Sequence, residues 1–118
     1  MNERKVNILG VQYTIKVQDE DENPILQNCD GYCDWTTKEL VVENGKNGTL
    51  GNMDAYICKV IRHEIVHAFL FESGLFESSV SIDAWARNEE MVDWFARQGE
   101  KIYAAWREAG AVEGGQYV

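Results

Sequence analysis

The stretch from Asn52 to Gly74 constrains the fold of this chain more than any other. Asn52 can cap a helix, Asp54 suits its first turn, and Gly74 stands where a helix ending near Ser73 would place its C′ residue. Between them Ile57, Val60, Ile61, Ile65, Val66, Ala68, Phe69, Leu70 and Phe71 surround the helix axis instead of forming one stripe. A helix apolar on all sides is a buried one. At its centre lies His63-Glu64-Ile65-Val66-His67, which contains both histidines of the chain. Residues i and i+4 share a helix face, so the two imidazoles can point at one place. The pattern predicts two rings and a carboxylate in the middle of a core, where an unpartnered carboxylate is strongly disfavoured. A metal ion or its water is the simplest partner.

The rest of the chain reads as strands, turns and one more helix. Val11, Tyr13, Ile15 and Val17 alternate with Gln12, Thr14 and Lys16, the period of a half-buried strand. Val6, Ile8 and Leu9 precede them, and Gly10 marks a hairpin or a bulge. Asp19 to Pro24 is an acidic loop without the spaced ligands and glycine of a calcium loop, and Ile25-Leu26-Gln27 suggests a short helical turn. Gly31 to Trp35 and Glu39 to Glu43 read as two strands joined at Thr36-Thr37-Lys38. Asn44 to Asn52 is turn chemistry, and its Gly45-Lys46 pair lacks the flanking residues of a phosphate loop. A second long helix is expected from about Asp83 to Ala109, capped by Ser81 or Asp83. Its apolar stripe would be Trp85, Val92, Phe95, Ala96, Gly99, Ile102 and Trp106. Met91 and Trp94 fall outside that stripe, either as a partner patch or packed beneath the acidic loop.

These elements predict an α+β fold, with a small twisted sheet of three or four strands packed on the first helix and the second helix beside it. One domain is expected over residues 1–110, with a flexible tail over 111–118. A net charge of −9 argues against nucleic acid, which needs a basic face. No apolar run approaches the roughly 18 residues of a membrane span, and the N-terminus lacks a signal core, so a cytoplasmic location is expected. Cys29, Cys33 and Cys58 are too few for a disulfide framework, and no second pair completes a zinc knuckle around Cys29 and Cys33.

Two imidazoles with an intervening glutamate suit zinc, with Glu64 as general base toward a metal-bound water. A catalytic zinc takes three protein ligands and keeps one position for water. No histidine remains for the third; the long histidine version of the motif would need His at 73, where Ser73 stands. The second helix offers Glu89 and Glu90, which point about 100° apart. On the expected stripe Glu89 falls inside, beside Trp85 and Val92, and Glu90 falls outside, so periodicity selects Glu89. Asp93, one turn on, could accept the second ring N–H of a ligand histidine.

His63-Glu64-x-x-His67, followed 22 residues later by Glu89 and then Asp93, resembles the zincin metallopeptidases with a glutamate third ligand. The small size and the Glu89-x-x-Val92-x-x-Phe95-Ala96 pattern are closer to the minimal ImmA/IrrE-type metallopeptidases of phages and mobile elements. The resemblance spans roughly residues 30–105. It implies a zinc ion held by His63, His67 and Glu89, Glu64 as base, and Asp93 supporting His63. It also implies a cleft bordered by an edge strand to which an extended peptide adds, for which Gly31 to Glu43 is the candidate segment. Related enzymes steady the oxyanion with Tyr or His; Tyr32, Tyr56 and Tyr103 are the candidates here, and the sequence does not choose among them.

The resulting expectation is a zinc-dependent peptidase acting on a peptide or protein. Two other readings stay open at this point. Zinc could staple a protein-binding module without catalysis, or the histidines could be metal-free core residues bonded to neighbouring carboxylates.

Overall fold

A computed structural model describes residues 3–78 and 89–112, apart from the side chains of Ser78, Glu89 and Val92. The fold is α+β. Strands β1 (Glu3–Ile8) and β2 (Val11–Gln18) form a hairpin whose two-residue turn, Leu9-Gly10, has positive φ at both positions (52° and 89°). This is the turn that matches the twist of paired strands, and Gly10 adopts it without a Cβ clash. Asn23 caps a short 3-10 turn over Pro24–Gln27. A second hairpin follows, β3 (Gly31–Asp34) and β4 (Glu39–Glu43), with Lys38 at positive φ in its loop.

The four strands order as β1-β2-β4-β3, with β4 parallel to β2 and every other pairing antiparallel. Leu40, Val41 and Val42 on the inner strand β4 are all buried, so this strand reads as a continuous apolar run and not an alternating one. The inner sheet face carries Val6, Ile8, Tyr13, Ile15, Val17, Leu40 and Val42. The outer face is polar: Lys5 bonds Thr14, and Lys16 pairs with Glu39.

Helix α1 (Met53–Glu72) lies on the inner face, capped by the Asn52 side chain accepting from the Ala55 N–H at 3.0 Å. Gly74, at φ +81°, ends it as expected. Its buried positions are Ile57, Val60, Ile61, Glu64, Ile65, Ala68 and Phe69, one stripe at three- and four-residue spacing. The helix is therefore not buried all round: His63 is exposed and His67 half-buried. Only Glu64 of the three motif residues lies in the stripe, because the remaining apolar residues sit at its margins and on a partly open side.

A four-residue helix α2 (Leu75–Ser78) follows, and α3 (Glu89–Glu108) is the second long helix. The expected start near Asp83, its caps and Trp85 lie outside the described residues. Arg62 Nη1 donates to the Ala111 carbonyl at 2.8 Å, while Phe69 shares a cavity wall with Lys101, Ala104 and Ala105. Higher numbers on α1 thus meet lower numbers on α3, and the two helices are antiparallel.

The buried face of α3 differs from the expected stripe. Ile102, Ala105 and Ala109 are buried and Trp94 and Trp106 pack on the core, whereas Phe95 is 46% exposed and Ala96 is exposed. Trp94 is neither a free patch nor under the acidic loop. The N-terminal half of α3 runs past the end of α1, so Phe95 and Ala96 meet little that could bury them. The helix closes on Gly110 at φ 71°, with the Ala111 N–H bonding the Trp106 carbonyl at 2.9 Å. Ala111 is fully buried, so the packed domain extends past residue 110; residues 113–118 lie outside the described ones. Among the described residues no helix is long and apolar enough to cross a membrane.

Candidate functional site

His63 and His67 meet as their spacing demands. Their Nε2 atoms are 3.1 Å apart, with ring centroids at 4.8 Å and planes at 70°. Without a metal the contact is a hydrogen bond that needs one ring to donate and the other to accept. Two nitrogens each about 2.0–2.1 Å from one tetrahedral ion stand roughly 3.3 Å apart, so the pair is already close to chelating geometry. Burial, and then the neighbouring His63, lower the pKa of His67 and favour the neutral ring that a metal requires.

Glu64 is turned into the protein. It is 6% exposed, the one buried charged residue among those described. Its Oε2 lies beneath β3, 3.5 Å from where a Cβ on Gly31 would stand. Glycine is needed there: that Cβ would also meet the Val41 carbonyl at 2.9 Å and Val60 at 3.0 Å. Burial pushes the Glu64 carboxyl up to about 7. The sequence offered no hint of Cys33 as a neighbour, yet burial, followed by the Glu64, Asp34 and Glu72 carboxylates, raises its thiol to about 12. Strand alternation is the signal that could have found it, since Gly31 and Cys33 share the face turned to α1.

Beside this group runs an open sheet edge. Among the described residues strand β3 pairs with β4 alone. The Glu43 N–H bonds the Asp30 carbonyl at 2.9 Å, so the hydrogen-bonded pairs alternate from there through Tyr32 and Asp34. The backbone groups of Gly31 and Cys33 consequently face outward. The expected edge strand is present and borders the motif helix.

The sheet end of α1 is fixed by a second polar cluster. Glu72 Oε2 accepts from Tyr13 Oη and from Lys38 Nζ, each at 2.6 Å. Burial works against the Glu72 carboxylate, but the bonds from Lys38 and Tyr13 outweigh it and hold its pKa below the ordinary value. Trp35 stacks on Phe71 at 5.9 Å between centroids, and Phe71 lies 4.3 Å from Phe76.

The other expected site residues lie elsewhere. Asp93 is 65% exposed and pairs with Arg97 at 2.9 Å, not with an imidazole. It precedes Ala105 by twelve residues, about 18 Å of helix, whereas the histidines lie level with the C-terminal half of α3. Glu89 opens α3, and its side chain lies outside the described residues. Tyr32 projects from the outer sheet face, where its hydroxyl accepts from Asn23 Nδ2 at 2.9 Å. Tyr56 is on the histidine side of α1 but two turns, about 10 Å, before His63, and its hydroxyl donates to Asp30. Tyr103 is 52% exposed on α3 beneath Arg107. None of the three tyrosines meets the imidazole pair. Among the described residues no three His, Cys, Asp or Glu side chains gather as a complete metal site.

No protein-family model, curated protein or solved structure matches the chain.

Proposed function

We propose that this protein is a metal-dependent peptidase of the zincin type, resembling the minimal ImmA/IrrE-type enzymes. The observation that supports this reading is the convergence of two imidazole Nε2 atoms at 3.1 Å on the helix that buries Glu64, along a strand edge unpaired among the described residues. His63 and His67 hold the zinc; Glu89, the third ligand expected from the sequence, opens α3 about 24 Å of helix before Ala105 and is too far along it to join them. A zinc ion there supplies Lewis acidity toward a peptide carbonyl and toward water. Glu64 takes the proton of the attacking water on its carboxylate and returns it to the nitrogen of the leaving chain. Its burial strengthens it as a base. The outward groups of Gly31 and Cys33 bind the substrate backbone as an added strand.

Native mass spectrometry together with cleavage of an unstructured peptide library tests this. One zinc per chain is expected, with Glu64→Gln keeping zinc and losing cleavage. His63→Ala and His67→Ala should each lose zinc. A metal-free chain, or a Glu64→Gln variant as active as the parent, would refute the reading.

That Tyr32, Tyr56 and Tyr103 all lie away from the imidazole pair favours a second reading, a zinc-stapled protein-binding module. In that case zinc is bound, the parent chain cleaves nothing, and chelation unfolds the domain.

A further inference from the structure

A cavity of about 530 Å³ opens at the N-terminal end of α1, beside the Asp30 end of β3. One wall is apolar, built from Leu26, Met53, Ile57 and Val60. The other carries the carboxylates of Glu20, Asp30 and Glu43, and none of the lining residues is cationic. Tyr56 already donates to Asp30, and the Gly45 N–H donates to Glu43 Oε1 at 3.0 Å. Glu43 Oε2 is buried and has no hydrogen-bond partner among the described residues. A buried carboxylate oxygen without a donor is unfavourable, so a turn of the Glu43 side chain toward a donor held in the cavity is favoured.

We infer that this cavity is a binding subsite for a lysine or arginine side chain of a peptide laid along β3. The apolar wall takes the methylene stem, and the carboxylates take the cationic head. An α-ammonium group has the charge but no stem to fill that wall. The position fits a subsite of the proposed peptidase, on which this inference rests for its setting. Val60 lines the cavity and lies one helical turn, about 6 Å, before Glu64. Gly31 packs against both, so the cavity stands about two residues of extended peptide from the Glu64 carboxylate.

Binding is measured without reference to hydrolysis, so that failure of this inference and of the peptidase reading are told apart. Acetylated, amidated pentapeptides with a central lysine or norleucine are titrated into the 15N-labelled full chain. The lysine peptide is expected to bind at least tenfold more tightly, with amide shifts at Asp30, Glu43 and Tyr56. Glu43→Gln should bring the two peptides within threefold of each other and leave the norleucine affinity unchanged. Asp30→Asn should act in the same direction, which keeps the test alive if Glu43→Gln folds poorly. Equal affinity for the two peptides in the parent chain, or a lysine preference that survives both variants, overturns the inference. So does an unblocked pentaalanine that binds as tightly as the blocked lysine peptide, because the cavity would then read a chain terminus.

Discussion

Replacing Glu72 by glutamine separates the charge of this residue from its shape. Its Oε2 accepts two bonds of 2.6 Å, from a tyrosine on β2 and from the lysine of the β3–β4 loop. The Tyr13 ring is fully buried, so its hydroxyl depends on this partner. A hydrogen bond to a charged group contributes about 1.5–3 kcal/mol, and a neutral amide acceptor keeps about 1 kcal/mol of that. Lys38 is 38% exposed, so solvent screening limits its ion pair to under about 1 kcal/mol. The expected net loss at pH 7 is about 2 kcal/mol, or roughly 6–10 °C in Tm. The pH dependence follows from the depressed carboxyl pKa. Its stabilisation is present above the unfolded value, about 4.3, and is lost as pH falls through the lower folded value. Urea denaturation followed by tryptophan fluorescence should therefore show a clear deficit for Glu72→Gln at pH 7 that is smaller at pH 3. An equal deficit at both pH values, or none at pH 7, would refute the assignment of a charged hub at the end of α1.

Three further outcomes are expected. Gly31→Ala should lose about 1–3 kcal/mol, because its Cβ meets a backbone oxygen that cannot retreat, and thermal melts read this directly; a neutral substitution would mean β3 does not press on α1. Cys33 should alkylate with iodoacetamide at pH 8 about 10³-fold more slowly in the folded chain than in urea, since its thiolate is scarce. Comparable rates by peptide mass spectrometry would remove it from the neighbourhood of Glu64. Asn52→Ala should cost about 1 kcal/mol through loss of the cap on α1, and an unchanged urea midpoint would contradict that cap.

Local rules made the strands, the Leu9-Gly10 turn and both ends of α1 legible in the sequence, since each depends on residues adjacent along the chain. The meeting of His63 and His67 follows the same logic, as a property of one helix turn. The parallel placement of β4 against β2 was not legible, because apolar alternation fixes a strand's face and not its neighbour. The error on α1 came from counting apolar residues around the axis: Val66, Leu70 and Phe71 are half-buried at the margins, so the histidines beside them reach solvent. The error on α3 has the same origin. Phe95, Ala96 and Gly99 are spaced to suit a stripe, but the helix is buried along Ile102, Ala105 and Ala109, where β1 and α1 lie. Asp93 then falls on the solvent side with Arg97. Glu43 and Asp30 carried no spacing signal, since long-range packing brings them to α1.

The short length of β3 sets how firmly anything can be gripped there. Only Gly31 and Cys33 present outward amides and carbonyls, which allows about four ladder bonds at roughly 0.5–1.5 kcal/mol each. A visiting chain held by its main chain alone would dissociate quickly, so residence time must come from side-chain pockets. An edge this brief holds any added strand loosely and is too short to template fibrils.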